Sequence, residues 1–177
     1  MEIIPRVEEF AKKHCDMYKD DPGLYDEHVQ LVRKYALILA DIEHADKQIV
    51  EIAALLHDIG KYLGRDNHAE HSYKLAEEFL KGFPLANEKK KLILKCILKH
   101  SGKYSLEDNE LEVKIMQCAD GLGVIFDEKW QEYTRKTKTS EEILKLFDKF
   151  ERKINLDSAR KIAGPQLAKL KKQLNAK

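Results

Sequence analysis

An adjacent histidine and aspartate close the apolar run Ala54-Leu55-Leu56-His57-Asp58-Ile59-Gly60-Lys61. Neutral imidazole and carboxylate are both good donors to a divalent metal. Neighbouring residues of an ideal helix point about 100° apart. A helix end followed by Gly60 relaxes that angle and lets both side chains converge. Alone, the pair reads as a helix-capping histidine beside a solvated aspartate. It has company: His28 lies upstream on the side of Val29 and Val32, and His68, His71, His100 and Asp120 follow downstream. Asp120 follows Ile115-Met116-Gln117-Cys118-Ala119, and His100 ends the stretch Leu92 to Leu98. An uncompensated buried carboxylate costs several kcal/mol. Each residue singly is accounted for by structural hydrogen bonds. Four apolar helix faces that each deliver a His or Asp point instead to a shared cation.

The elements that must position these residues read as helices. The chain has 22 leucines and 26 lysines against six valines and three threonines, a balance that favours helix over strand. Apolar periodicity predicts helices over 3–18, 25–40, 46–60, 68–80, 87–100 and 111–126, the last interrupted or bent near Gly121 and Gly123. Two more are predicted over 140–153 and 158–175, the second broken near Gly164-Pro165. Ser105 and Asp108 precede the sixth helix, and 61–67 is a turn-rich loop. Phe126, Trp130 and Tyr133 recur at near-helical spacing, either as packing residues or as a platform for a base. The expected fold is all-α, one domain over 1–177. Its motif-bearing core spans 25–125, with C-terminal helices over 128–177 packed on it.

The order His28, His57-Asp58, Asp120 resembles the HD-domain superfamily of metal-dependent phosphohydrolases. The string HDIGK is a common form of that family's motif, and Cys118-Ala119-Asp120-Gly121-Leu122 is similar to its last one. His68 and His100 match the two further histidines of members with two metals. The resemblance implies an HD-type helical bundle in which His28, His57, Asp58 and Asp120 hold a first ion. His68 and His100 would hold a second, bridged by Asp58. The cofactor implied is a divalent transition metal, with Mn, Fe, Ni, Co and Zn not distinguished by these donors. The reaction implied is attack of a metal-activated water on a phosphate monoester or phosphodiester, a nucleotide foremost. Asp58 and Lys61 are the expected catalytic residues, Lys61 neutralising a phosphoryl oxygen. Arg33 and Lys103 are candidates for the mouth of the site. The GYP tripeptide and the paired histidines of the cyclic-di-GMP branch are missing, so that substrate is not expected. His71 has no family equivalent and sits one helical turn from His68, close enough to replace it. Two other functions share the donor set: a mixed-valent di-iron oxygenase of the HD type, and a non-catalytic, metal-stabilised binding module.

Composition bounds the rest. With 32 Lys+Arg and 31 Asp+Glu in 177 residues, general nucleic-acid binding through net charge is not expected. No apolar run is long enough to cross a membrane. Cys15, Cys96 and Cys118 lack metal-site or disulfide spacing, which favours a reducing cytoplasm. A small phosphorylated substrate is the expected partner, and homo-oligomerisation is left open. The basic tail after Asp148 suits an anionic partner, a subunit contact or a solvated helix face.

Overall fold

The computed structural model describes residues 2–103, 108 and 110–175. Ser105 of the sequence reading lies outside them. The described residues form no strand, and their helices are α1 (Ile3–Cys15), α2 (Gln30–Glu43), α3 (Lys47–Leu56), α4 (His68–Leu80), α5 (Asn87–Lys99), α6 (Leu111–Phe126), α7 (Glu128–Thr137), α8 (Ser140–Lys153) and α9 (Asp157–Asn175). A π-helical segment, Leu24–Val29, leads into α2, and a short 3₁₀ turn, Lys61–Leu63, follows the HD pair. The all-α bundle expected from periodicity is therefore the architecture observed.

Two helices form its axis. α3 buries Ile49, Val50, Ile52, Ala53, Ala54, Leu55 and Leu56, nearly its whole length. α6 is buried from Ile115 to Gly123. Each fully buried Ile, Leu or Val contributes about 1.5–3 kcal/mol, so these helices are fixed by packing more than by propensity. α3 starts sharply because Asp46 accepts hydrogen bonds from the Gln48 and Ile49 amides at 3.0 and 3.3 Å, satisfying donors that a helix start leaves free. α2 packs along both α3 and α6, while α4 pairs with α5.

The helix breaks expected at glycine and proline do not occur. α6 runs unbroken through Gly121 and Gly123. Gly123 serves packing instead: a Cβ there would lie 2.6 Å from Val32 Cγ2 and 3.4 Å from His28, so its hydrogen lets α2 approach. α9 likewise runs through Pro165. Gly164 and Pro165 are exposed, so water can take the carbonyl that proline leaves without a partner. α7 is an addition: its charged sequence EKWQEYTRKT gave no separate helix in the periodicity reading. Asp127 caps it through the Trp130 amide at 2.8 Å.

Asp108 anchors the chain between α5 and α6. It is buried and accepts hydrogen bonds from Lys95 at 3.1 Å, Lys99 at 2.7 Å and the Glu110 amide at 3.1 Å. Burial pushes its pKa up, but hydrogen bonding with Glu110, Lys99 and Lys95 outweighs this and holds it well below the usual carboxylate range. Asp108→Asn should therefore cost about 1–2 kcal/mol at pH 7, as charge-assisted bonds become neutral ones. A depressed folded pKa stabilises fully above the unfolded value near 3.8 and is lost as pH falls toward the folded value. Urea denaturation at pH 7 and pH 3 should show the wild-type advantage shrinking at the lower pH. An advantage equal at both would contradict this role.

Candidate metal centre

Each histidine of the motif series is delivered by a helix boundary. His57 and His100 are the residues that close α3 and α5, and His68 opens α4. His28 sits in the π-helical turn before α2, an irregularity that recurs at functional sites. Asp120 projects from the buried stretch of α6.

Three of the imidazoles are aimed by the same device. Nδ1 of His57 lies 2.7 Å from the Ala54 carbonyl, that of His68 2.7 Å from Arg65, and that of His100 2.5 Å from Ile97. In each case the ring donates its Nδ1–H to a carbonyl three residues earlier. That fixes the tautomer and leaves the Nε2 lone pair pointing into the site. The Nε2 atoms then meet in pairs, His57 with His28 at 3.3 Å and His68 with His100 at 3.0 Å. Two lone pairs that close repel unless a proton or a metal cation lies among them.

The carboxylates divide this cluster in two. Asp58 turns Oδ2 to His57 at 3.2 Å and His28 at 3.5 Å, and Oδ1 to His68 at 3.6 Å and His100 at 3.7 Å. Asp120 places Oδ1 3.3 Å from His28 and 3.8 Å from His57. Asp58 is 2% exposed, yet neither of its oxygens receives a hydrogen bond of adequate geometry. Lys61 touches Oδ2 only as an ion pair. A buried carboxylate with both oxygens turned to imidazole nitrogens is a donor set suited to a divalent cation. The atoms of His28, His57 and Asp120, and those of His57, Asp58 and His100, lie close enough to share an ion.

The electrostatics agree. Burial raises the Asp58 pKa, but His57 and Lys61 outweigh it and keep the group ionised. Asp120 is also raised by burial, and Lys153 followed by His28 brings it well below the usual range. His100 is pushed down to about 3 by burial and by neighbouring His57, so it is a neutral ring at pH 7.

All six residues of the expected ligand series thus converge. His71 does not join them: it packs against the loop at Gly60 and Gly64. Arg33 is not at the mouth either. It clamps α2 to α1 and α3 through Glu8 at 2.5 Å and Glu51 at 2.6 Å. Lys103 bonds Asn67 and Glu70, both at 2.9 Å, at the exposed start of α4. Phe126 packs on Tyr35 and Trp130 on Phe150, while Tyr133 is exposed. One site neighbour escaped the sequence reading: Lys153 of α8 is buried and pairs with Asp120 Oδ2. Its local sequence, Glu151-Arg152-Lys153, reads only as a solvated charged turn.

The comparisons with known proteins agree with this geometry. A solved structure described as a predicted HD superfamily hydrolase, from an uncultured Thermotogales bacterium, superposes with a TM-score of 0.70 at 24% identity. The overlap covers 97% of this chain and 89% of that one. Bacillus subtilis YpgQ superposes with a TM-score of 0.69 at 19% identity, over 99% of this chain and 97% of its own. At those identities the likeness is one of fold. A search of curated proteins gives no match. The HD domain family model matches residues 25–153, from the π-helical turn that carries His28 to Lys153 itself. Since that span is well over half of the 177 residues, the chain belongs to the HD domain family.

Proposed function

We propose that this chain is a metal-dependent phosphohydrolase acting on a small phosphate ester, a nucleotide foremost. The observation that carries the reading is Asp58, a buried carboxylate with its two oxygens turned to two different histidine pairs. His28, His57, Asp58 and Asp120 would hold one divalent ion. Asp58, His68 and His100 would hold a second.

A bound divalent cation supplies Lewis acidity toward phosphoryl oxygens and makes a nearby water more acidic. The protein contributes the rest. The carbonyls of Ala54, Arg65 and Ile97 keep three rings in the ligating tautomer. Lys61 lies three residues after Asp58 and is one-fifth exposed beside that buried carboxylate, so it can follow a phosphoryl oxygen and offset its growing charge. Burial opposes the ammonium, but Asp58 outweighs this and raises its pKa. His68 is the partly exposed member of the cluster and marks the open side. The chain is read as one domain, supported by the packing of α8 and α9 on α6. Three buried free cysteines support a reducing, cytoplasmic setting, and no described helix is long and apolar enough to cross a membrane.

Phosphate release from a panel of nucleotides and sugar phosphates, with and without chelator, tests the reading. Release that depends on metal supports it. Oxygen uptake with no phosphate release would assign the site to redox chemistry. The two-ion arrangement has its own test, a calorimetric Mn²⁺ titration. The wild type should take up about two ions per chain, and the His68→Ala/His100→Ala double variant about one. One ion in both forms would leave those histidines to bind substrate instead.

A further inference from the structure

The buried Lys153 plays no part in the ligand set described above. Its stem passes between two glycines: a Cβ on Gly121 would lie 3.5 Å from Lys153 Cβ, and one on Gly102 would lie 3.5 Å from Lys153 Cε. Small residues from α6 and from the turn after α5 thus open a path for this side chain to the site. The ammonium carries three N–H donors. Among the described residues its acceptor is Asp120 Oδ2 alone, so two donors remain in a setting where the side chain is 7% exposed. Leaving buried charged donors without acceptors is unfavourable.

Asp120 explains one contact and no more. Its Oδ1 already faces His28 and His57, where the first ion would sit. With a dication on one oxygen and an ammonium on the other, two cations would share one carboxylate. A further anion beside both would lower their repulsion. Lys61 stands in the same relation to Asp58. Each of the two carboxylates of the site thus carries one ammonium group. A phosphoryl group, with several acceptor oxygens and negative charge, satisfies both.

We infer that Lys153 is a second phosphoryl-contacting residue, acting on the same substrate phosphate as Lys61; the inference rests on the function proposed above. The test uses Mn²⁺-loaded full-length protein and inorganic phosphate as the probe, followed by calorimetry, with Mn²⁺ affinity measured separately. In Lys153→Met and Lys153→Gln, phosphate should bind at least tenfold more weakly while Mn²⁺ binds no more weakly than in the wild type. Lys153→Arg should recover part of the phosphate affinity. The Gln variant keeps a donor for Asp120, so the test survives if Met impairs folding. Phosphate binding equal to wild type in the variants, or no phosphate binding by the wild type, would overturn the inference. Loss of Mn²⁺ in parallel with phosphate would also overturn it and make Lys153 a positioning residue for Asp120. Failure of the wild type to bind Mn²⁺ would instead overturn the function proposed above.

Discussion

Asp58→Ala should lose metal from both halves of the site at once and reduce phosphate release by at least a thousandfold. The magnitude follows from its position. Asp58 is the residue whose two oxygens reach both histidine pairs, at 3.2–3.7 Å. Removing it would take a ligand from each proposed ion and leave four imidazoles with no central charge. Outer positioning groups typically change affinity or activity about 10–100-fold, so a shared ligand should exceed that. The change also breaks the ion pair with Lys61, so stability should fall as well, and metal uptake is read on the folded fraction. Calorimetric metal titration beside a thermal unfolding curve checks both parts. A folded variant with wild-type metal uptake would refute the shared role of Asp58.

The next largest effect should come from a residue with no side chain. Gly60 packs so tightly against α4 that a Cβ would lie 2.4 Å from the Ser72 backbone nitrogen and 2.6 Å from His71 Cβ. The Gly60 amide also donates to Ser72 Oγ at 2.9 Å. Backbone cannot swing aside as a flexible side chain can, so Gly60→Ala must push α4 away from the end of α3. Overpacking of this kind costs about 1–3 kcal/mol, and the upper end applies where main chain is the obstacle. His68 rides on α4, whereas His57 and Asp58 belong to the end of α3. The shift should therefore weaken the second ion, proposed at His68 and His100, more than the first. Urea denaturation and Mn²⁺ titration of the variant test this. Unchanged stability would show that α4 relaxes freely there.

These two residues also show what the sequence could reveal. His57, Asp58, His100 and Asp120 stood out because polar, metal-ligating side chains ended or interrupted apolar helical runs. That pattern survives without coordinates, and the HDIGK string tied it to a family. The need for glycine at positions 60 and 123 depends on which helix passes beside it, which a one-dimensional pattern does not contain. Lys153 was hidden for the same reason. It lies in a charged stretch of α8, and only the crossing of α8 over α6 at Gly121 turns it inward. The π-helical turn at His28 likewise has no periodicity of its own over six residues. Proline at 165 does not end α9, because a single lost hydrogen bond on an exposed face does not break a helix whose other face is packed.

Element analysis of the protein purified without added metal, paired with phosphate release before and after chelation, bears most directly on the metal centre. The expected result is at least one divalent transition-metal ion per chain. Chelation should remove it together with phosphate release, and both should return when metal is restored. Less than about a tenth of an ion per chain, with phosphate release that persists in chelator, would contradict a metal-dependent hydrolase built on Asp58 and its four histidines.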